Sequence, residues 1–266
     1  MRSSVADYEV ITELPPSGGS PRYLCRPPDR LDVGSPQVMI TEVAVDAAGW
    51  QVLTDRLTRY AAVDSDRLLS LIEVGPDLDP VAAGVYLATE PASGGWLSDP
   101  TDDLDDAGKV RAVGQAARGL HALHESGIAH GGITARAIVL AASGAVLGPP
   151  TLDLPAGGLT RIGAWRDLVT MDPDLLSGEE TSRSSDVWAL GATLHTALSD
   201  RPLYPGIDKD AAVTAVQRIL FTRPDVDPDI PPEVADVIRS CLEPDPAARP
   251  ATADELADRL QGTQRP

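Results

Sequence analysis

The residue types that carry acid–base, nucleophilic or metal chemistry are few in this chain of 266 residues and widely spread. Histidines stand at 121, 124, 130 and 195. His130 opens the loop His130-Gly131-Gly132, where an imidazole could serve as a general base. His121, His124 and His195 fall within helical stretches with no partner at metal-ligand spacing, which fits packing or surface roles. Cys25 and Cys241 are the only cysteines, too few for a disulfide framework or a zinc site, and they read as free core thiols in a reducing compartment. The acidic cluster Asp102–Asp106 reads as a solvated turn and helix N-terminus, where negative charge suits the helix dipole. Asn is absent, Lys109 and Lys209 are the only lysines and Phe221 is the only Phe, a bias that points to a GC-rich genome.

Bulk properties narrow the function classes further. Hydrophobic residues make up 42% and charged residues 23% of the chain, as in a soluble folded protein. A net charge of −18 argues against binding nucleic acid or anionic lipid through bulk charge, so a protein partner is expected. No apolar run approaches the roughly 18 residues of a membrane span; the longest, Ala137–Leu147, is broken by Ser143 and Gly144. No direct membrane insertion and no signal peptide are expected, and the location read from this is cytoplasmic.

The elements that must position the chemistry divide the chain in two. Residues Tyr8–Leu14, Arg22–Cys25, Val38–Val45 and Gly84–Thr89 are short β-type runs between Pro/Gly-rich turns, with one helix from about Ala48 to Ala62 and an apolar run Leu68–Val74. After a hinge at Pro91–Gly95 the pattern becomes helical. Val110, Val113, Ala117, Leu120 and His124 recur at helical spacing, and Val187, Leu190, Gly191, Leu194 and Leu198 do the same in a segment apolar on both faces, hence a buried central helix. Pro231-Pro232-Glu233 opens a third helix with Val234, Val237, Ile238, Cys241 and Leu242 on one stripe. Thr252 and Glu255 form a capping box for a fourth, ending near Gln261.

Three segments in this half stand in a telling order: Gly119 to His130 with Ile133 and Ile138-Val139-Leu140, then Ser185-Asp186-Val187-Trp188-Ala189-Leu190-Gly191, then Cys241 to Thr252 with Pro244-Asp245-Pro246 and Arg249-Pro250. Together they resemble the catalytic-loop region, the central helix and the last-helix signature of eukaryotic-like (Hanks-type) Ser/Thr protein kinases. The resemblance implies an α+β, bilobal fold: a small β-rich N-lobe with one helix over residues 1–91, a larger α-helical C-lobe over 92–261, and a flexible tail over 262–266.

The resemblance also assigns positions. Phosphoryl transfer in that family rests on a Lys at the phosphates, an Asp base, and an Asn and Asp on magnesium. Here the strand position of the Lys holds Thr41, the base position Gly132, the loop-lysine position Thr134 and the Asn position Ala137. Asp55-Arg56 stands where the partner Glu belongs, Gly148–Asp153 replaces Asp-Phe-Gly, and Pro15–Pro21 lacks the glycine spacing and carries prolines without N–H groups. Fold-holding positions are kept: Asp186 would accept hydrogen bonds from the loop backbone, Asp174 would pair with Arg249, and His130 would pack beneath the loop. Trp188 is expected in the core, and Trp165 exposed or plugging the nucleotide cleft.

Such a pattern looks like a pseudokinase, and the expectation is a chain that is not an enzyme, with no cofactor and no metal. The alternative is an atypical nucleotide-binding kinase-like enzyme using Asp153 or acidic surface residues for metal. The chain is also similar to the intracellular pseudokinase domain of actinobacterial MviN-type lipid II flippases. That narrower likeness implies a part in peptidoglycan synthesis, an active Ser/Thr protein kinase that phosphorylates the domain, and a forkhead-associated domain that reads the phosphothreonine. Thr263 is the first candidate for the phosphate; Thr160 and Thr170, in the activation-segment region, are the others.

Overall fold

The computed structural model describes residues 2–17, 20–45, 47–77, 84–100, 104–150, 168–207 and 212–264. Strands β1 (Ser4–Val5), β2 (Tyr8–Ser17), β3 (Ser20–Arg26), β4 (Val38–Ala44), β5 (Leu71–Asp77) and β6 (Gly84–Thr89) form one sheet in the order β1-β2-β3-β4-β6-β5, its neighbours antiparallel. Strand β4 reads Val-Met-Ile-Thr-Glu-Val-Ala and is buried on both sides. One cluster joins its Val38 and Ile40 to Tyr8, Tyr23, Cys25 and Tyr86. The other places its Val43 with Val85 and Leu87 beneath Leu53 and Leu57 of helix α1 (Ala47–Ala61). Apolar residues on both faces of a central strand supply these two packing surfaces. Glu73 then fixes the sheet edge, accepting from the hydroxyls of Tyr8 at 2.6 Å and Tyr86 at 3.0 Å and from Arg30 at 2.7 Å. The Arg30 guanidinium holds the Glu73 carboxyl below its ordinary range.

A second sheet, in the order β10-β9-β7-β8, gathers β7 (Gly95–Trp96), β8 (Asp99–Pro100), β9 (Ile138–Ala141) and β10 (Gly144–Leu147). It is tied to the first part by the parallel bridge Leu68↔Leu147 and by Tyr60, whose hydroxyl lies 2.8 Å from the carbonyls of both Leu69 and Leu147.

The helical part is built on α2 (Asp106–Glu125), α3 (Pro173–Leu176), α4 (Arg183–Leu198), α5 (Ala212–Phe221), α6 (Pro232–Cys241) and α7 (Ala253–Gly262). Asp105 caps α2 by accepting from the Gly108 N–H, Ser182 and Ser185 form a reciprocal capping box at α4, and Thr252 accepts from the Glu255 N–H at α7. Helix α4 is buried from Ser185 through His195 and forms the middle of the largest core cluster. Gly191 makes its contact with α6 possible, because a Cβ there would lie 2.4 Å from the Cβ of Cys241. Burial pushes the Cys241 thiol up to about 12, so it is a core group. This is the bilobal α+β fold that the strand and helix patterns led one to expect.

Several features go beyond the sequence reading. Helices α3 and α5, the short strands β1, β7 and β8 and the β9–β10 hairpin were not foreseen as elements, although the hairpin coincides with the apolar run broken at Ser143-Gly144. Helix α7 ends at Gly262 with Thr263 as its cap, within one residue of the expected end near Gln261. Leu260, buried in the main core, keeps the final turn docked.

Candidate functional site

The loop from His130 to Ala137 joins α2 to β9, and Asp186 on the first turn of α4 grips it by its main chain. One carboxylate oxygen accepts from the His130 N–H at 2.7 Å and lies 2.9 Å from Nε2 of His124; the other accepts from the Gly131 N–H at 2.7 Å. Asp186 is 1% exposed, so these charge-assisted bonds form in a water-poor environment and satisfy the carboxylate fully. Gly131 has φ +68°, and a Cβ there would approach Thr181 Cγ2 at 2.8 Å and Arg56 Nη2 at 3.0 Å. The tight turn beneath α1 therefore requires glycine.

His130 is fully buried, with both ring nitrogens engaged. Nε2 faces the Gly148 carbonyl at 2.9 Å and so donates; Nδ1 accepts from the Gly132 N–H at 3.2 Å. Burial holds its pKa below the ordinary value in spite of Asp186. An imidazole with no free lone pair is a loop brace, and the general-base reading has no geometric support. His124, expected to be a packing or surface residue, is a direct partner of Asp186, a pairing invisible in helical spacing alone.

Arg249 corrects one assignment. Its guanidinium pairs with Asp172, both side chains being 1–2% exposed, and not with Asp174. Its Nε also donates to the Glu243 carbonyl at 2.8 Å, and the group lies 4.8 Å from the Trp188 ring. Asp172 caps α3 by accepting from the Asp174 N–H, which turns its own carboxylate inward and leaves Asp174 exposed on the first helical turn. The two carboxylates flank Pro173, and capping decides which is buried.

The remaining expected residues are scattered. Thr41 is half-buried on β4, paired across the ladder with Arg22 and Leu87. Gly132 and Thr134 are buried in the loop, and Ala137 is half-buried at its end with its carbonyl accepting from the Gly148 N–H at 2.7 Å. Thr170 is buried, 5% exposed. Thr160, Asp153, Trp165 and Lys209 lie outside the described residues.

On the strand beside Thr41, Arg22 packs against the second sheet. Arg22 is 3% exposed; its guanidinium lies 3.7 Å from the centroid of the Trp96 ring, Nε donates to the Pro15 carbonyl at 2.8 Å, and Nη2 is 3.5 Å from Asp99. Arg56 donates from α1 to the His130 carbonyl. Among the described residues no three His, Cys, Asp or Glu side chains gather to hold a metal ion.

The family description "Protein tyrosine and serine/threonine kinase" matches residues 53–260. The chain belongs to the protein kinase family. Among its relatives, the probable serine/threonine-protein kinase PkwA of Thermomonospora curvata is 25% identical over 265 residues, 95% of this chain and 34% of PkwA. The serine/threonine-protein kinase PknK of Mycobacterium tuberculosis is 34% identical over 95 residues, 35% of this chain and 9% of that protein. A probable cell division protein kinase of Encephalitozoon cuniculi is 28% identical over 168 residues, 57% of this chain and 61% of the relative. The chain thus spans about a third of the length of PkwA. These relatives are named as kinases, which points to an enzyme and corrects the expectation, drawn from Thr41, Gly132, Thr134 and Ala137, that this chain is not one. Among the described residues no helix is long and apolar enough to cross a membrane.

Proposed function

We propose that this kinase-family domain acts in Ser/Thr signalling as a phosphorylation-regulated scaffold. An active Ser/Thr protein kinase modifies Thr263, and the phosphothreonine recruits a protein with a forkhead-associated domain, in the control of peptidoglycan synthesis. The observation that carries this reading is the position of Thr263 at the end of α7. Its N–H donates to the Arg259 carbonyl at 3.3 Å and its hydroxyl to the Leu260 carbonyl at 2.8 Å. Phosphorylation replaces that hydroxyl donor by acceptor oxygens and adds about −1.5 to −2 charge beside the carbonyl end of a helix, where negative charge is unfavourable. The last turn then unwinds into an extended, solvent-facing phosphothreonine that an arginine-lined pocket can hold by charge-assisted bonds. This role sits beside the enzymatic assignment that the relatives carry, because recruitment uses the end of α7 and not the loop at 130–137.

The test treats the domain with an active actinobacterial Ser/Thr kinase, maps phosphosites by mass spectrometry and titrates a forkhead-associated domain. Thr263→Ala should abolish both the phosphate at that site and the binding. Unchanged phosphate incorporation and binding in that variant would refute the assignment.

A further inference from the structure

The last turn of α7 sets an arginine directly beneath Thr263. The Thr263 N–H donates to the Arg259 carbonyl at 3.3 Å, and Thr263 itself keeps right-handed helical angles, φ −71° and ψ −13°. Residues four apart on a helix share a face, and helical side chains lean toward the N-terminus. A group built onto the Thr263 oxygen therefore extends over residue 259.

The bonds of Arg259 can be exchanged. Its side chain is 44% exposed; Nη2 donates to Glu255 Oε1 at 2.5 Å and Nη1 to the Ser240 hydroxyl of α6 at 3.2 Å. Glu255 is 39% exposed, and its other oxygen accepts from the Ala251 N–H at 2.9 Å, so the carboxylate keeps a donor and its access to water when Arg259 leaves. An exposed i,i+4 ion pair is weak. A phosphate on Thr263 also stands four residues from Arg259, on the other side, and offers about −1.5 to −2 charge against the single charge of Glu255. Arg118, the cation between α2 and α7, has no such freedom, because Asp254 and Asp258 both hold it.

We infer, on the reading that Thr263 carries the phosphate, that Arg259 is an intramolecular competitor for its reader: the guanidinium leaves Glu255 for the phosphate, holds the last turn of α7 helical, and must be displaced before a partner's arginine pocket takes the phosphothreonine. The modified end of α7 thus has two states, one closed on Arg259 and one extended for the reader. Glu255 sets the balance between them, because it pulls Arg259 away from the phosphate.

The test uses the whole domain with phosphothreonine installed at position 263 by amber-codon suppression, so that it does not depend on which kinase acts. Phosphorus NMR reads the second ionisation of the phosphate, ordinarily about 6, and titration with a forkhead-associated domain reads the competition. In Arg259→Gln that pKa should rise by about 0.2–0.4 unit, and the reader should bind about two- to fivefold more tightly. Glu255→Gln, which keeps an acceptor for the Ala251 N–H but releases Arg259, should lower the pKa and weaken reader binding about twofold. Loosening of the helix end alone would move both variants in the same direction. Equal values of either quantity in the three proteins, or shifts of one sign in both variants, overturn the competition. A forkhead-associated domain that binds none of the three overturns the recruitment instead, and the pKa alone then decides the pairing with Arg259.

Discussion

Replacing Arg249 by alanine leaves the Asp172 carboxylate, 2% exposed, without its guanidinium and, among the described residues, with the Asp174 N–H as its remaining donor. Removing one partner of a buried ion pair costs about 3–5 kcal/mol, because the other charge stays desolvated. The cation over Trp188 and the bonds to Glu243 and Ser184 go with it, which argues for the upper half of that range. At about 2–4 °C per kcal/mol for a chain near this size, Tm should fall by roughly 8–20 °C. Asp174→Ala, at an exposed position, should cost under about 0.5 kcal/mol. Urea denaturation of both variants, with the double variant Asp172→Ala/Arg249→Ala to measure the coupling, separates the two carboxylates. Should Arg249→Ala and Asp174→Ala unfold within about 0.5 kcal/mol of each other, the buried pair contributes nothing and the reasoning fails.

Gly131→Ala combines positive φ with a 2.8 Å approach to Thr181 and should destabilise by about 1–3 kcal/mol, seen as a lowered urea midpoint. Gly191→Ala forces a Cβ to 2.4 Å from Cys241 and should cost about 1–3 kcal/mol, with the loss concentrated in hydrogen-exchange protection of α4 and α6. His130 and His195 are both held neutral by burial, with pKa values below the ordinary 6.5. The unfolded chain binds their protons first, so stability should be flat well above pH 6.5 and fall as the pH drops below it, with a limiting slope of about 1.4 kcal/mol per pH unit for each histidine, in thermal melts from pH 8 to 5.

What the sequence made legible was whatever rests on periodicity and capping. The apolar run of β4 and the two-faced apolar pattern of α4 each state how many sides are buried, and Thr252 with Glu255 states where a helix begins. Choices between near-equivalent neighbours were not legible. Asp172 and Asp174 differ by two positions around one proline, and only the helix cap tells which carboxylate turns inward. Helix α5 escaped notice because Val213 and Phe221 are 71% and 86% exposed, so its apolar residues do not trace a single buried stripe. The stack of Arg22 on Trp96 joins residues 74 positions apart, and no local pattern records such a meeting. The pairing of His124 with Asp186 was hidden for the same reason.

Asp186 holds the loop through the N–H groups of residues 130 and 131, atoms that every amino acid except proline provides. Apart from Gly131, the His130 brace and Ile133 in the main core, the loop's shape is thus written largely into the main chain. Selection on foldability alone would hold Asp186, Gly131, His130 and Ile133 tightly and the half-buried positions 135 to 137 more loosely. In such a lineage the scaffold is inherited as a unit while the residues it displays are free to be rewritten, so descent within the fold and the conduct of its loop can part company without any intermediate that fails to fold.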